Sequence, residues 1–313
     1  MSRAFVFPGQ GAQAVGMGKD LAGAFTVARD VFDEVDGALG QSLSRLMFDG
    51  PDDELMLTEN AQPALMAVSM AVMRVLEREG GLNLAGAAAF VAGHSLGEYS
   101  ALAAAGTFSL ADTARLLKIR GRAMQKAVPV GEGAMAALLG LDFEAAREVA
   151  AAAGQDEVCA AANDNAPGQV VVSGHKAAVE RAIALAAERG AKRGVLLPVS
   201  APFHCPLMAP AAEAMAEALD SVAMQPPKVP LVANVTAAPV TDTAEIRRLL
   251  VAQVTGTVRW RDSVLYMKGR GVDTLVEAGA GKVLSGLARR IDKEVGGLSL
   301  QTPADIETFL KSL

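Results

Sequence analysis

Aromatic side chains are scarce, at 4% of the 313 residues, with one Trp and two Tyr. Large rings therefore fill little of the core, and the abundance of alanine favours closely packed helices. The two cysteines, Cys159 and Cys205, are too few for a disulfide framework or a zinc site. They read as reduced thiols of a cytosolic protein. Basic residues are in deficit: 29 Lys+Arg stand against 35 Asp+Glu, a net charge of −6. That excludes the basic excess of a general nucleic-acid binder and leaves room for a local basic patch facing an anionic ligand. Long apolar runs are missing too. Residues 80–97 lack Asp, Glu, Lys and Arg but hold five glycines, Asn83 and His94, whereas a membrane span needs about 20 mostly apolar residues. The first residues show neither a basic-then-apolar leader nor a small-residue cleavage site. The expectation is a cytoplasmic protein that binds neither membrane nor nucleic acid.

The material for a core is ample, with 51% hydrophobic and 20% charged residues. The length suggests two domains, or one large domain carrying an insertion. An apolar run at 3–7 reads as a buried strand ended by Pro8-Gly9. A helical region follows from about 17 to 79, its longest piece opening near Gln62-Pro63, where proline suits a first helical turn. A second apolar run, 88–92, leads into Gly93-His94-Ser95-Leu96-Gly97, then into alanine-rich helix and a further helix over 110–127. From Pro129 the character changes. A strand at 133–141, a helix at 143–153, strands at 157–162 and 169–173, a helix at 176–189 and a strand at 194–199 give the β-α-β-β-α-β order of a split ferredoxin-like unit. The polar Asn163-Asp164-Asn165-Ala166-Pro167-Gly168 is expected to be the turn between its middle strands. Strands and helices alternate again after Pro202, arguing for a parallel α/β sheet. The expected architecture is α/β: a large α/β-hydrolase-like domain from residues 1–129 and 204–313, and an inserted small ferredoxin-like domain over 130–203.

Gly93-His94-Ser95-Leu96-Gly97 fits G-x-S-x-G, the nucleophile elbow. A tight strand-to-helix turn holds the central Ser at unfavourable backbone angles, and small flanking residues let the chain cross itself. The following N–H, from Leu96, lies at a helix N-terminus where it can donate to a developing oxyanion. Such a serine needs a base, and the chain has three histidines. His94 adjoins the nucleophile and points away from it on a tight turn. His175 opens a helix of the small unit. His204, stiffened between Pro202 and Pro206, is the candidate by elimination; its alternative is a structural loop histidine. No Asp or Glu lies between His204 and Pro210. A distant acid and a dyad oriented by a carbonyl both stay open.

Taken together, Phe7-Pro8-Gly9-Gln10-Gly11-Ala12-Gln13, Gln62-Pro63-Ala64, the elbow with Glu98-Tyr99-Ser100-Ala101-Leu102, Arg120-Gly121, Gly133-Ala134-Met135, Asn165-Ala166-Pro167-Gly168-Gln169 and Pro202-Phe203-His204 resemble the malonyl-CoA:acyl carrier protein transacylases, acyltransferases of fatty acid and polyketide synthesis. The segments span nearly the whole chain in the family's order. The resemblance implies the two-unit fold and a Ser/His dyad of Ser95 and His204. It further implies an oxyanion hole from the N–H groups of Gln10 and Leu96, and Gln253 orienting the imidazole through its main-chain carbonyl. Arg120 is implied to hold the malonyl carboxylate, with Gln62, Asn165 and Phe203 as further substrate-binding positions. Arg120 alone would read as part of a charged helix face with Arg115 and Arg122. The bulk of Phe203 accompanies malonyl rather than methylmalonyl selection. Ala280, where many relatives carry Pro, and Cys205, where Ser is common, depart from the pattern.

The implied activity is an [acyl-carrier-protein] S-malonyltransferase supplying fatty acid synthesis, with malonyl-CoA and acyl carrier protein as partners. It acts as a monomer and needs no metal or other cofactor. The alternatives are a trans-acting acyltransferase of a polyketide or malonate-processing system, or a serine thioesterase or esterase that passes the same acyl group to water. Carrier proteins are typically acidic, which makes Lys192, Arg193, Arg289 and Arg290 candidates for a docking patch.

Overall fold

The computed structural model describes residues 2–312. Strand β1 (Arg3–Phe7) is buried at four consecutive positions, as a strand covered on both faces requires. Helices α1 (Lys19–Ala24), α2 (Thr26–Leu39), α3 (Leu43–Asp49), α4 (Asp52–Met56) and α5 (Thr58–Arg78) follow. After α6 (Leu84–Ala87) come β2 (Phe90–Gly93), α7 (Gly97–Ala104) and α8 (Leu110–Ala127). The middle of the chain forms β3 (Gly133–Leu139), α9 (Phe143–Gly154), β4 (Cys159–Ala166), β5 (Gln169–His175), α10 (Lys176–Glu188) and β6 (Arg193–Leu196). A 3₁₀ turn (Pro206–Met208) then leads into α11 (Ala209–Asp220), β7 (Leu231–Val232), β8 (Pro239–Val240), α12 (Thr243–Thr255) and α13 (Trp260–Gly269). The chain closes with β9 (Thr274–Ala278), α14 (Val283–Ile291), β10 (Gly296–Leu300) and α15 (Pro303–Leu310).

The strands make two sheets. One is six-stranded, in the order β10-β9-β1-β2-β7-β8. Its pairings are parallel except for the short edge strand β8. The other is a four-stranded antiparallel sheet in the order β4-β5-β3-β6. It packs its own core, including Leu138, Val149, Val170, Val172 and Val179, beneath α9 and α10. Strand β4 is tied by backbone to the segment between α12 and α13: Asp164 N–H donates to the Val258 carbonyl at 2.9 Å and Val258 N–H to the Ala162 carbonyl at 2.8 Å.

Several local expectations need correction. Helix α5 begins at Thr58, so Pro63 lies inside it. The bond lost there is the one Glu59 would have received, and burial of nearly every residue from Thr58 to Leu76 outweighs it. The polar Asn163-Asp164-Asn165 stretch belongs to β4, whose pairing with β5 is bulged there. Only Pro167-Gly168 turns, with Gly168 at φ 69°. These polar residues tolerate the strand because partners from outside the small sheet meet them: Arg261 of α13 approaches Asp164 at 3.0 Å and His94, in the turn after β2, meets Asn165 at 2.8 Å. Elements α6, β8, β10 and α15 had no counterpart in the sequence reading. Strand β10 opens on Gly296-Gly297, which has no apolar signature; a Cβ on Gly297 would sit 2.3 Å from the Ser285 carbonyl oxygen, so glycine lets α14 lie against the strand.

Candidate active site

The site gathers at the carboxyl ends of β1, β2 and β7, where open parallel sheets bind ligands. Strand β2 ends at Gly93 and α7 starts at Gly97, leaving three residues to reverse direction. Ser95 at their centre has φ 54°, in the left-handed region that disfavours a side chain. The glycines make the reversal sterically feasible. A Cβ on Gly93 would lie 1.9 Å from the Gly97 carbonyl carbon, and one on Gly97 would lie 2.2 Å from the Phe7 oxygen. Asn234, just past β7, staples the turn. Its Oδ1 accepts from Ser95 N–H at 2.8 Å and its Nδ2 donates to the Gly93 carbonyl at 2.6 Å.

Ser95 Oγ lies 2.7 Å from His204 Nε2. His204 is also held at positive φ, 58°, and is almost fully buried. Its Nδ1 lies 2.8 Å from the Gln253 main-chain oxygen. A carbonyl only accepts, so Nδ1 carries the proton and Nε2 is left as an acceptor for the Ser95 hydroxyl. Burial, joined by the nearby Arg120 cation, pushes the imidazole's pKa down to about 3. The ring is therefore neutral near pH 7, the state a general base needs. Among the described residues no carboxylate hydrogen-bonds to the ring, and the Gln253 carbonyl dipole orients it.

Arg120 is 1% exposed. A Cβ on the neighbouring Gly121 would fall 2.5 Å from Glu59 Cα, so α8 seats directly on the start of α5 and carries Arg120 beneath it. Its Nη1 donates to Gln62 Oε1 at 2.8 Å. Its Nη2 donates to Ser95 Oγ at 3.1 Å and to Gln253 Oε1 at 2.8 Å. The guanidinium carbon sits 5.7 Å from the Tyr99 ring centroid, and Nε has no partner among the described residues. Arg115 and Arg122 are different: their side chains are 54% and 66% exposed.

A cavity of about 750 Å³ opens over these groups, lined among others by Gln10, Gln62, Leu96, Met124 and Phe203. That volume suits a drug-sized ligand or part of a larger one. Among the described residues, neither the Gln10 nor the Leu96 N–H donates to another group of the chain, so both remain available to a ligand oxygen. Asn163 lines the cavity and Asn165 does not; Asn165 instead supports His94 from behind. Lys192, Arg193, Arg289 and Arg290 are all exposed, and none lines the cavity. His175 stands just before α10 and accepts from Val158 N–H through Nδ1 at 2.9 Å. Among the described residues no cluster of three or more His, Cys, Asp or Glu is placed to hold a metal, and no helix is long and apolar enough to cross a membrane.

The profile of the family described as acyl transferase domain matches residues 4–294. The chain belongs to the acyl transferase domain family. Among characterised members it is 46% identical over 308 residues to the malonyl CoA-acyl carrier protein transacylase of Escherichia coli (strain K12), covering 98% of each chain. It is 44% identical over 311 residues to that of Bacillus subtilis (strain 168), covering 99% of this chain and 96% of the relative. Its fold superimposes on the crystal structure of acyl-carrier-protein-S-malonyltransferase from Bartonella henselae with a TM-score of 0.97 and 58% identity, covering 100% of this chain and 99% of that one. A malonyl-transacylase solved in complex with a type II polyketide synthase acyl carrier protein matches with a TM-score of 0.96 and 41% identity over 100% of both chains.

Three groups of this acyl transferase site have no role legible in the sequence: Asn234, Glu98 and the side chain of Gln253. Asn234 carries a usable signal, a polar residue at the carboxyl end of a predicted parallel strand. Glu98 carries less: an acid in a first helical turn is normally a solvated one. Here it is 1% exposed, and burial pushes its carboxyl up to about 7.

Proposed function

We propose that the protein transfers the malonyl group from malonyl-CoA to the phosphopantetheine thiol of acyl carrier protein, in support of fatty acid synthesis, with Ser95 as the acyl-accepting nucleophile. The observation that carries this reading is the placement of Ser95 Oγ between a neutral imidazole at 2.7 Å and a buried guanidinium at 3.1 Å. Imidazole next to serine serves any acyl transfer. A buried cation beside it serves an acyl group that brings its own anion, as malonyl does and acetyl does not.

His204 Nε2 takes the Ser95 proton as Oγ attacks the thioester carbonyl. The N–H groups of Gln10 and Leu96 receive the oxyanion, the α7 terminus aiding the second. His204 then returns the proton to the departing CoA sulfur, leaving a malonyl ester on Ser95. Deprotonated by the same imidazole, the carrier's thiol attacks that ester and regenerates the hydroxyl. Arg120 pairs with the malonyl carboxylate throughout, and Gln62 gives way or shares. Phe203, on the cavity wall, limits bulk at the α-carbon; one methyl counts for about 1–3 kcal/mol in such a pocket. Asn165 acts through His94 on this reading. The steps are nucleophilic and acid–base and call for no metal or redox cofactor.

The nucleophile, base, oxyanion donors and guanidinium all come from one chain, which supports a monomer, and we place its work in the cytoplasm. We take residues 1–129 with 204–313 as the catalytic unit and 130–203 as the inserted one. The likeness to a carrier-bound transacylase supports acyl carrier protein as acceptor, in a fatty acid or polyketide setting.

Intact-mass analysis after mixing with malonyl-CoA alone tests the reading. One malonyl adduct per chain, stable until holo-acyl carrier protein is added, is expected. Rapid multiple-turnover release of CoA without carrier identifies a thioesterase instead. A second expectation concerns pH. With the His204 pKa lowered to about 3, the loading rate should not fall as pH drops through about 6.5, the ordinary histidine value. A stopped-flow profile of CoA release with an acid limb near 6.5 contradicts this. Stability follows the opposite course for the same residue. The unfolded chain binds a proton at His204 that the folded chain refuses, so this contribution is present above about pH 6.5 and is lost as pH falls.

A further inference from the structure

Gln253 serves the site from two sides. Its main-chain carbonyl accepts from His204, as described, while its side-chain amide lies between two buried side chains, the Arg120 guanidinium and the Glu98 carboxyl. Oε1 accepts from Arg120 Nη2 at 2.8 Å, and Nε2 donates to Glu98 Oε2 at 2.6 Å. Gln253, Arg120 and Glu98 are all 1% exposed or less. A guanidinium offers only donors, so the amide turns its oxygen to Arg120, and its nitrogen, also only a donor, meets Glu98 Oε2 as an acceptor whether or not the carboxyl carries a proton. An amide between them has a single orientation, oxygen to arginine and nitrogen to carboxyl. Glu98 also sits in the first turn of α7, where the helix terminus favours negative charge.

The geometry distinguishes the two ends of the guanidinium. Nη1 is held by Gln62 from α5. Nη2, the end nearest Ser95 Oγ, is held by the Gln253 amide. That amide has two further acceptors for its N–H groups, the Ser95 carbonyl at 2.9 Å and Asn234 Oδ1 at 3.3 Å, and the Glu98 contact is the shortest of the three. Glu98 takes no part in the proton transfers and does not line the cavity.

We infer that Glu98 is a positioning residue for acyl selectivity: by fixing the Gln253 amide it aims the Arg120 guanidinium into the acyl pocket beside Ser95. The inference rests on the malonyl reading above. It separates two jobs within one residue. The Gln253 backbone sets the base, and its side chain, anchored by Glu98, sets the recognition of the acyl carboxylate.

The test compares acyl-enzyme formation from malonyl-CoA and from acetyl-CoA, each as kcat/KM, in wild type, Glu98→Ala and Glu98→Gln. In Glu98→Ala the malonyl value is expected to fall by about tenfold or more, the scale of a buried donor left without its acceptor. Acetyl should change by less than about threefold, so the selectivity ratio collapses. Glu98→Gln keeps a side-chain oxygen for Gln253 Nε2 and should hold the ratio within about threefold of wild type. A parallel fall for both substrates in Glu98→Ala marks general damage and overturns the inference. So does a Glu98→Gln enzyme that loses the ratio as fully as Glu98→Ala. Should Glu98→Ala not fold, Gln253→Met removes the amide while leaving the carbonyl on His204. It must then lose the ratio, and a preserved ratio overturns the inference. Failure of the malonyl reading itself shows separately, in a wild-type enzyme that takes up no malonyl or loads both acyl groups equally.

Discussion

Replacing Ser95 by alanine is expected to abolish the malonyl adduct and to lower transfer to acyl carrier protein on the order of a millionfold, the scale seen when an activated serine is removed. The magnitude follows from the absence of a substitute. Ser95 Oγ is the hydroxyl within reach of both His204 Nε2 and Arg120 Nη2. The cysteine nearest in sequence to the base, Cys205, is fully buried and directs its thiol to the Pro202 carbonyl. Folding should survive, because the backbone N–H of residue 95 keeps its bond to Asn234. Intact mass spectrometry after malonyl-CoA exposure, with circular dichroism as a folding control, checks both halves. A full malonyl adduct in Ser95→Ala places the nucleophile elsewhere.

Arg120→Ala is expected to have the next largest effect, and a selective one. Removing one partner of a buried charge pair costs about 3–5 kcal/mol, a hundredfold or more at about 1.4 kcal/mol per tenfold. Malonyl loading should drop by that much while acetyl loading holds or rises, since acetyl no longer faces an unpaired guanidinium. Competition between the two CoA esters, read by the mass of the acyl-enzyme, measures the ratio directly. An unchanged malonyl preference removes Arg120 from the recognition of the carboxylate. Some loss of thermal stability should accompany the change, because Gln62 Oε1 and Gln253 Oε1 each lose a donor.

Both variants concern residues that the sequence revealed to different degrees. Ser95 was readable because an elbow needs an apolar strand before it, a helix after it and glycines on either side, all visible in the letters. Arg120 was not separable from Arg115 and Arg122 by charge. Its helical phase was nevertheless informative: Thr113, Leu117, Arg120 and Met124 form one buried stripe of α8, and an arginine on a buried stripe needs a reason. The continuous apolar runs of β1 and β2 marked strands and the alternation of strands with helices marked a parallel sheet, whereas β8 and β10, two residues long or opening on glycines, are held by neighbours. The same tertiary support explains Pro63 inside α5 and the polar end of β4. Asn234 and Glu98 stayed hidden for a related reason. Their importance lies in which distant groups they meet, Ser95 and Gly93 for one and Gln253 for the other, and such meetings are set by the fold.

The left-handed backbone at both Ser95 and His204 has a consequence for how this enzyme would age, adapt or be engineered. Conformations of this kind cost about 1–3 kcal/mol each, and glycine, the usual remedy, would delete the very side chain needed. The two reacting groups are thus held in tension by their surroundings: Ser95 by the close approach of Gly93 to Gly97 and of Gly97 to Phe7 and by the Asn234 staple, His204 by the Gln253 carbonyl. Lesions that soften those surroundings should let the turn relax and silence the enzyme while the remainder of the chain still stands, so that catalytic failure precedes melting.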